Sequence, residues 1–358
     1  MGKLTRAFAA FFLVVACGDS SDPAAGSDKA GTNGPGEGTG GSLADGGAGG
    51  GDLDASSGGG GGAGDAGALG DADPGNAAPQ LRDKMGVVFQ VDTTGPLQRI
   101  EKAIEAMRYL GFDTLRIRAP RIGADSWNRI YVPLGTAGLR FHFVHAPGRE
   151  PAEEVADLVS FAARFPGQII GYEGPNEPDL DPVTFGGATD TRLGARTGNA
   201  PAALALQEAM YTQLRAHFTA QQIPMLAFND WMHAEQSPFS DYANTHVYPN
   251  AGNTLSDHAS GLDELLAAHG KGKLVVTEVG YTDVDGPVHS HVTPEQEALN
   301  VIEDMDTVMA RADIVRAFFY SVVDYPNPTD EFSNFGLFES DWTPKPSAEA
   351  IHARTGGL

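Results

Sequence analysis

From residue 81 onward, short apolar runs alternate with longer segments whose apolar residues recur at helical spacing, the pattern of repeated strand–helix units. The runs Met85–Phe89, Thr114–Ile117, Arg140–Val144, Ile169–Glu173, Met225–Asn229, Tyr242–Val247, Leu274–Glu278 and Val315–Ser321 read as strands. Between them, Pro96–Leu110 places Ile100, Ile104 and Met107 on one helical face, and the segment after Pro151 does the same with Val155, Leu158, Val159 and Ala162. Further helices are expected over Pro201–Gln221, through Leu262, Leu265 and Leu266, over Pro294–Ala312 and after Pro346. Eight such units in the 278 residues from Leu81 to Leu358 predict an α/β chain folded as a (β/α)₈ TIM barrel. The polar stretch Asp179–Asn199 is too long for a plain connection and is expected on the rim of a site.

Composition changes abruptly before that domain. Residues 18–80 hold 22 of the 46 glycines, with Ala, Asp and Ser, and no core can form there. The segment 17–80 therefore reads as a disordered, Gly-rich tether. Ahead of it, Lys3 and Arg6 precede the apolar run Ala7–Ala16, too short to span a membrane, so residues 1–16 read as a signal peptide. The run closes on Val14-Val15-Ala16-Cys17, which resembles a bacterial lipobox, and Cys17 is the sole cysteine of the chain. That resemblance implies a lipid-modified Cys17 and an extracytoplasmic, membrane-anchored protein. The net charge of −23 argues against nucleic acid as a partner.

Two carboxylates stand out because each sits at the end of an apolar strand. Ile169–Pro178 reads IIGYEGPNEP and presents Asn176 and Glu177 just after a strand; Lys273–Tyr281 reads KLVVTEVGY and ends its strand on Glu278. Burying either acid unpaired would cost several kcal/mol, so each is expected where a partner, water or substrate reaches it. In a barrel both fall at the C-terminal mouth, where active sites lie. A facing pair of carboxylates is what cleavage of a glycosidic bond needs.

With Asn176-Glu177-Pro178 after strand four and Glu278 on strand seven, the domain resembles the clan A glycoside hydrolases. The resemblance implies Glu177 as acid/base, Glu278 as nucleophile, Asn176 as a ligand of the sugar 2-hydroxyl, and retention of configuration. His246 and Tyr248, in THVYP, resemble the clan's His-x-Tyr pair, and Arg116 or Arg118, on one face of strand two, resembles its arginine beside the nucleophile. The family often has an acid at the position of Glu173, but Tyr172 and Pro175 stand where it has Trp. Trp231, Tyr281 and Tyr320, with Trp127 and Tyr325, follow strands where rings could stack on a sugar. His289-Ser-His291 has ligand-like spacing but lies in a polar loop, and neither metal nor cofactor is expected. The expected activity is retaining hydrolysis of an oligo- or polysaccharide by a monomer. The alternative is a carbohydrate-binding protein on a barrel scaffold, without turnover.

Overall fold

The computed structural model describes residues 74–90, 99–192, 199–228, 238–250, 252–284, 291–325 and 331–358. Cys17, the Gly-rich segment, Trp231 and His289 lie outside the described residues.

Eight parallel strands form the sheet: β1 Met85–Val88, β2 Thr114–Arg118, β3 Arg140–Val144, β4 Ile169–Glu173, β5 Met225–Leu226, β6 Ala243–Val247, β7 Leu274–Val279 and β8 Ile314–Phe319. Each pairs with its sequence neighbour from β1 to β5 and from β6 to β8, and β8 returns to β1, with Met85 opposite Ala317. A parallel bridge between Leu226 and Tyr242 joins β5 to the start of β6, so the sheet closes into a barrel. The expected (β/α)₈ class is the fold observed.

Helices cover the outside: α1 Pro74–Lys84, α2 Ile100–Leu110, α3 Val132–Thr136, α4 Pro151–Arg164, α5 Pro201–Arg215, α6 Ala259–His269, α7 Pro294–Ala310 and α8 Pro346–Thr355. Strand alternation explains the two apolar layers. Leu115, Phe141, Phe143, Tyr172 and Val276 join the helix-facing core, whereas Val88, Leu226, Val275, Phe318 and Tyr320 form a separate cluster.

Strand five is shorter than expected, Met225–Leu226 rather than Met225–Asn229, and three other features depart from the sequence expectation. α1 starts at Pro74, ahead of the boundary expected at Leu81, and fixes the chain beneath the barrel: Lys84 Nζ donates to the carbonyls of Val308 and Arg311, each at 2.8 Å. α5 stops at Arg215 rather than Gln221, because the Arg215 guanidinium turns back to bond the Phe218 and Ile223 carbonyls and pairs with Asp241. The loop 179–199 carries a hairpin, Thr184–Phe185 against Ala188–Thr189. Its turn is Gly186-Gly187, both at positive φ, a conformation glycine takes without steric cost.

Candidate active site

The site is assembled at the C-terminal ends of β2, β4, β6 and β7. β4 ends on Glu173, and Gly174 follows it because nothing larger fits: a Cβ there would lie 1.9 Å from Gln207 Oε1 on α5. The chain then turns through Pro175 and Asn176 to Glu177, whose φ of 43° is left-handed, a strained backbone for a non-glycine residue. That turn brings the Glu177 carboxyl to His246 Nδ1, 2.9 Å from its Oε1.

Beneath it, Arg116 of β2 joins the acids. Its Nε and Nη2 donate to the two oxygens of Glu173 at 2.8 and 2.9 Å, its Nη1 donates to Glu278 Oε1 at 2.5 Å, and Nη2 also reaches Asn176 Oδ1 at 2.7 Å. Of the two arginines considered on β2, it is Arg116 whose guanidinium spans both carboxylates. Asn244 on β6 completes the layer: its Nδ2 donates to Glu173 Oε1 at 2.9 Å, and Thr277 Oγ1 donates to its Oδ1 at 2.5 Å. Glu173, Arg116 and Asn244 come from even-numbered strands, the set whose side chains share a layer in such barrels.

Glu278 also accepts a short hydrogen bond from the Tyr248 hydroxyl. His246 lies between the two candidate catalytic acids, with Nδ1 2.9 Å from Glu177 Oε1 and 3.5 Å from Glu278 Oε2. Asn176 Nδ2 donates to Glu177 Oε2 at 3.2 Å. One oxygen of Glu177, one of Glu278 and a ring nitrogen of His246 all lie within 4.8 Å of one another. Six residues singled out from the sequence, Arg116, Asn176, Glu177, His246, Tyr248 and Glu278, are thus brought into one hydrogen-bonded group.

The two carboxylates differ in their surroundings. Burial pushes the Glu177 carboxyl up to about 7; Arg116 opposes this, and the negative charge of Glu173 adds to it. Glu278 instead holds two direct donors, Arg116 and Tyr248. Burial also lowers the His246 pKa, so its ring is neutral at neutral pH. Burial alone would raise the carboxyl of Glu173, but Arg116 beside it, with His142, holds it well below the usual carboxylate range.

Glu173 is therefore the anion that fixes Arg116. Glu173→Gln is expected to destabilise the fold by about 3–5 kcal/mol at neutral pH, because it leaves a buried guanidinium without its main partner. Since Glu173's carboxyl is depressed in the folded state, its contribution is present above the unfolded pKa and is lost as pH falls through the folded one. The gap between parent and variant in urea midpoint should therefore close toward strongly acid pH. A constant gap would show that Glu173 acts by packing alone.

The other aromatic residues are divided. Tyr320 is buried beside the site, edge-on to Tyr248 with ring centroids 6.0 Å apart, and its hydroxyl accepts from Gln90 Nε2 at 2.6 Å. Tyr325 donates a short hydrogen bond to the same Gln90 side chain. Tyr281 is not brought to this group: it is buried in the outer core with its hydroxyl on Asp304 of α7 at 2.9 Å. Trp127 likewise packs against Phe161 and Phe165. Asn244 and Gln90 were missed in the sequence reading. Asn244 had a signal, since it precedes His246 by two, the strand period; Gln90 had none.

No family model matches the chain, and the comparison with curated proteins gives no match. Among solved structures the chain is similar to glycoside hydrolases. One is a family 39 glycoside hydrolase from Bacteroides cellulosilyticus WH2, at TM-score 0.52 and 14% identity, covering 77% of this chain and 64% of that one. A second is a GH2 beta-galacturonidase from Eisenbergiella tayi, at TM-score 0.55 and 13% identity, covering 77% of this chain and 51% of that one. A third, the family 17 beta-1,3-glucanosyltransferase from Rhizomucor miehei, aligns at TM-score 0.53 and 15% identity over 73% of this chain and 96% of that one. The chain thus spans less than two thirds of the first two proteins, and at these identities the likeness shows the fold.

Proposed function

We propose that the protein is a retaining glycoside hydrolase acting on an oligo- or polysaccharide, with Glu278 as nucleophile and Glu177 as acid/base. The observation that carries this reading is the close approach of the two carboxylates, one oxygen of each lying within 4.8 Å of the other. Double displacement uses carboxyl groups roughly 5–5.5 Å apart, while an inverting pair stands roughly 6.5–9.5 Å apart to admit a water.

The geometry supports the following steps. Arg116 and Tyr248 hold Glu278 by one oxygen each and orient it as the nucleophile beneath the anomeric carbon. Glu177, with its carboxyl raised to about 7, carries a proton at neutral pH and delivers it to the leaving oxygen while Glu278 attacks. The resulting Glu177 carboxylate then takes a proton from water, whose oxygen attacks the anomeric carbon and releases Glu278. Neutral His246, hydrogen-bonded to Glu177, keeps that side chain turned toward the mouth. Glycoside hydrolases among the structural neighbours support the class.

A binding protein on the same scaffold would need hydrogen-bonding groups and stacking rings but no proton donor opposite a nucleophile. Release of 4-nitrophenol by the full chain from a panel of α- and β-linked aryl glycosides separates the two. Turnover of at least one member is expected. Saccharide binding with no turnover across the panel would favour the binding protein.

A further inference from the structure

A second polar cavity lies at the other end of the barrel. Its volume is about 310 Å³, and its lining includes Ile169, Pro224, Tyr242, Val275 and Arg316, which come from strand starts or the residues just before them. The carboxylate pair, by contrast, stands at the strand ends. The polar lining is His142, Gln221, Gln222, Tyr242 and Arg316.

One of these side chains lacks the partners its burial calls for, and a second, half-buried, carries a charge with no acid beside it. His142, on β3, is fully buried, and neither of its ring nitrogens makes a hydrogen bond; Nε2 stands 3.6 Å from Glu173 Oε2. Arg316, on β8, donates from Nε to the Asp83 carbonyl at 3.2 Å, but among the described residues no carboxylate lies within ion-pair distance of it. Burial, and then the charge of Arg140, push its pKa down to about 10, with Asp83 and Asp113 offsetting only part of this. A half-buried guanidinium with no ion-pair partner can grip an anion with its planar donors.

We propose that this cavity binds a small oxyanion, a carboxylate or a phosphate, gripped by the Arg316 guanidinium with the His142 ring at its inner wall. The proposal does not rest on the glycosidase reading, although His142 stands 3.6 Å from Glu173, which holds Arg116 beneath Glu177 and Glu278. The cavity has the volume for an anion with a small organic body, and Ile169, Pro224 and Val275 give such a body an apolar wall.

The test titrates the full chain with inorganic phosphate and, separately, with lactate, at ionic strength held constant with sodium chloride. Calorimetry gives the affinity, and the ring resonances of His142, assigned by their loss in His142→Gln, report the place. Saturable binding is expected at roughly millimolar concentration, with a shift of the His142 resonances. Arg316→Gln should weaken it at least tenfold, and Arg121→Gln, on the surface, should leave it unchanged. Tighter phosphate binding would identify a phosphate-bearing ligand, and tighter lactate binding a carboxylate; either outcome supports the site. Removing an unpaired charge should leave the melting temperature of Arg316→Gln close to that of the parent, and if that variant fails to fold, the His142 shift in the unaltered chain decides. Saturation by neither anion, binding without a His142 shift, or equal binding by a folded Arg316→Gln would overturn the proposal.

Discussion

Glu278→Gly is expected to lower hydrolysis by on the order of 10⁴-fold or more, the scale seen when a nucleophile is removed from a working catalytic group. The argument is local. Among the described residues, Glu278 is the one that both receives Arg116 Nη1 and the Tyr248 hydroxyl and lies beside Glu177. Removing its side chain opens a space facing a guanidinium, a place where a small anion is stabilised. Azide should therefore restore cleavage of substrates with activated leaving groups and give a glycosyl azide of inverted configuration. Azide rescue that produced no glycosyl azide would remove Glu278 from the nucleophile's role.

Glu177→Ala separates the two halves of the reaction. For substrates with poor leaving groups the loss should be about 10²–10⁴-fold, the usual worth of general acid catalysis. Activated aryl glycosides should instead release one equivalent of phenol in a burst and then stall, because no base remains to activate water. In the parent enzyme the acid must be protonated, and its carboxyl titrates at about 7 in the folded protein. The rate on poor leaving groups should therefore fall as pH rises above about 7, approaching roughly tenfold per unit, and that limb should be absent in the variant. A basic limb unchanged in Glu177→Ala would assign the proton to another group.

Much of this arrangement was legible in the sequence because strands buried on both faces leave a plain apolar signature. The barrel strands were found, and the acids ending β4 and β7 stood out against their apolar neighbours. What could not be read depends on contacts distant in the chain. Glu173 was set apart from Glu177 by four residues, yet nothing local said that it would accept both forks of Arg116, 57 residues earlier. Tyr281 follows β7 as a sugar-stacking ring would, but the Asp304 carboxylate on α7 draws its hydroxyl into the outer core. The end of α5 was overrun because its stop is made by Arg215 folding back on its own turn, and no proline or glycine marks it. The left-handed φ of Glu177 is likewise invisible in the sequence, since Glu is rarely found there.

The central claim is that Glu177 and Glu278 cleave a glycosidic bond by double displacement, and the configuration of the first product tests it most directly. Proton NMR of the anomeric signals, recorded within the first minutes of hydrolysis and before mutarotation, should show the first-formed sugar with the anomeric configuration of the substrate. A first-formed sugar of inverted configuration would contradict the account, because inversion places a water between the base and the anomeric carbon and needs a wider pair than one in which an oxygen of each carboxylate lies within 4.8 Å of the other.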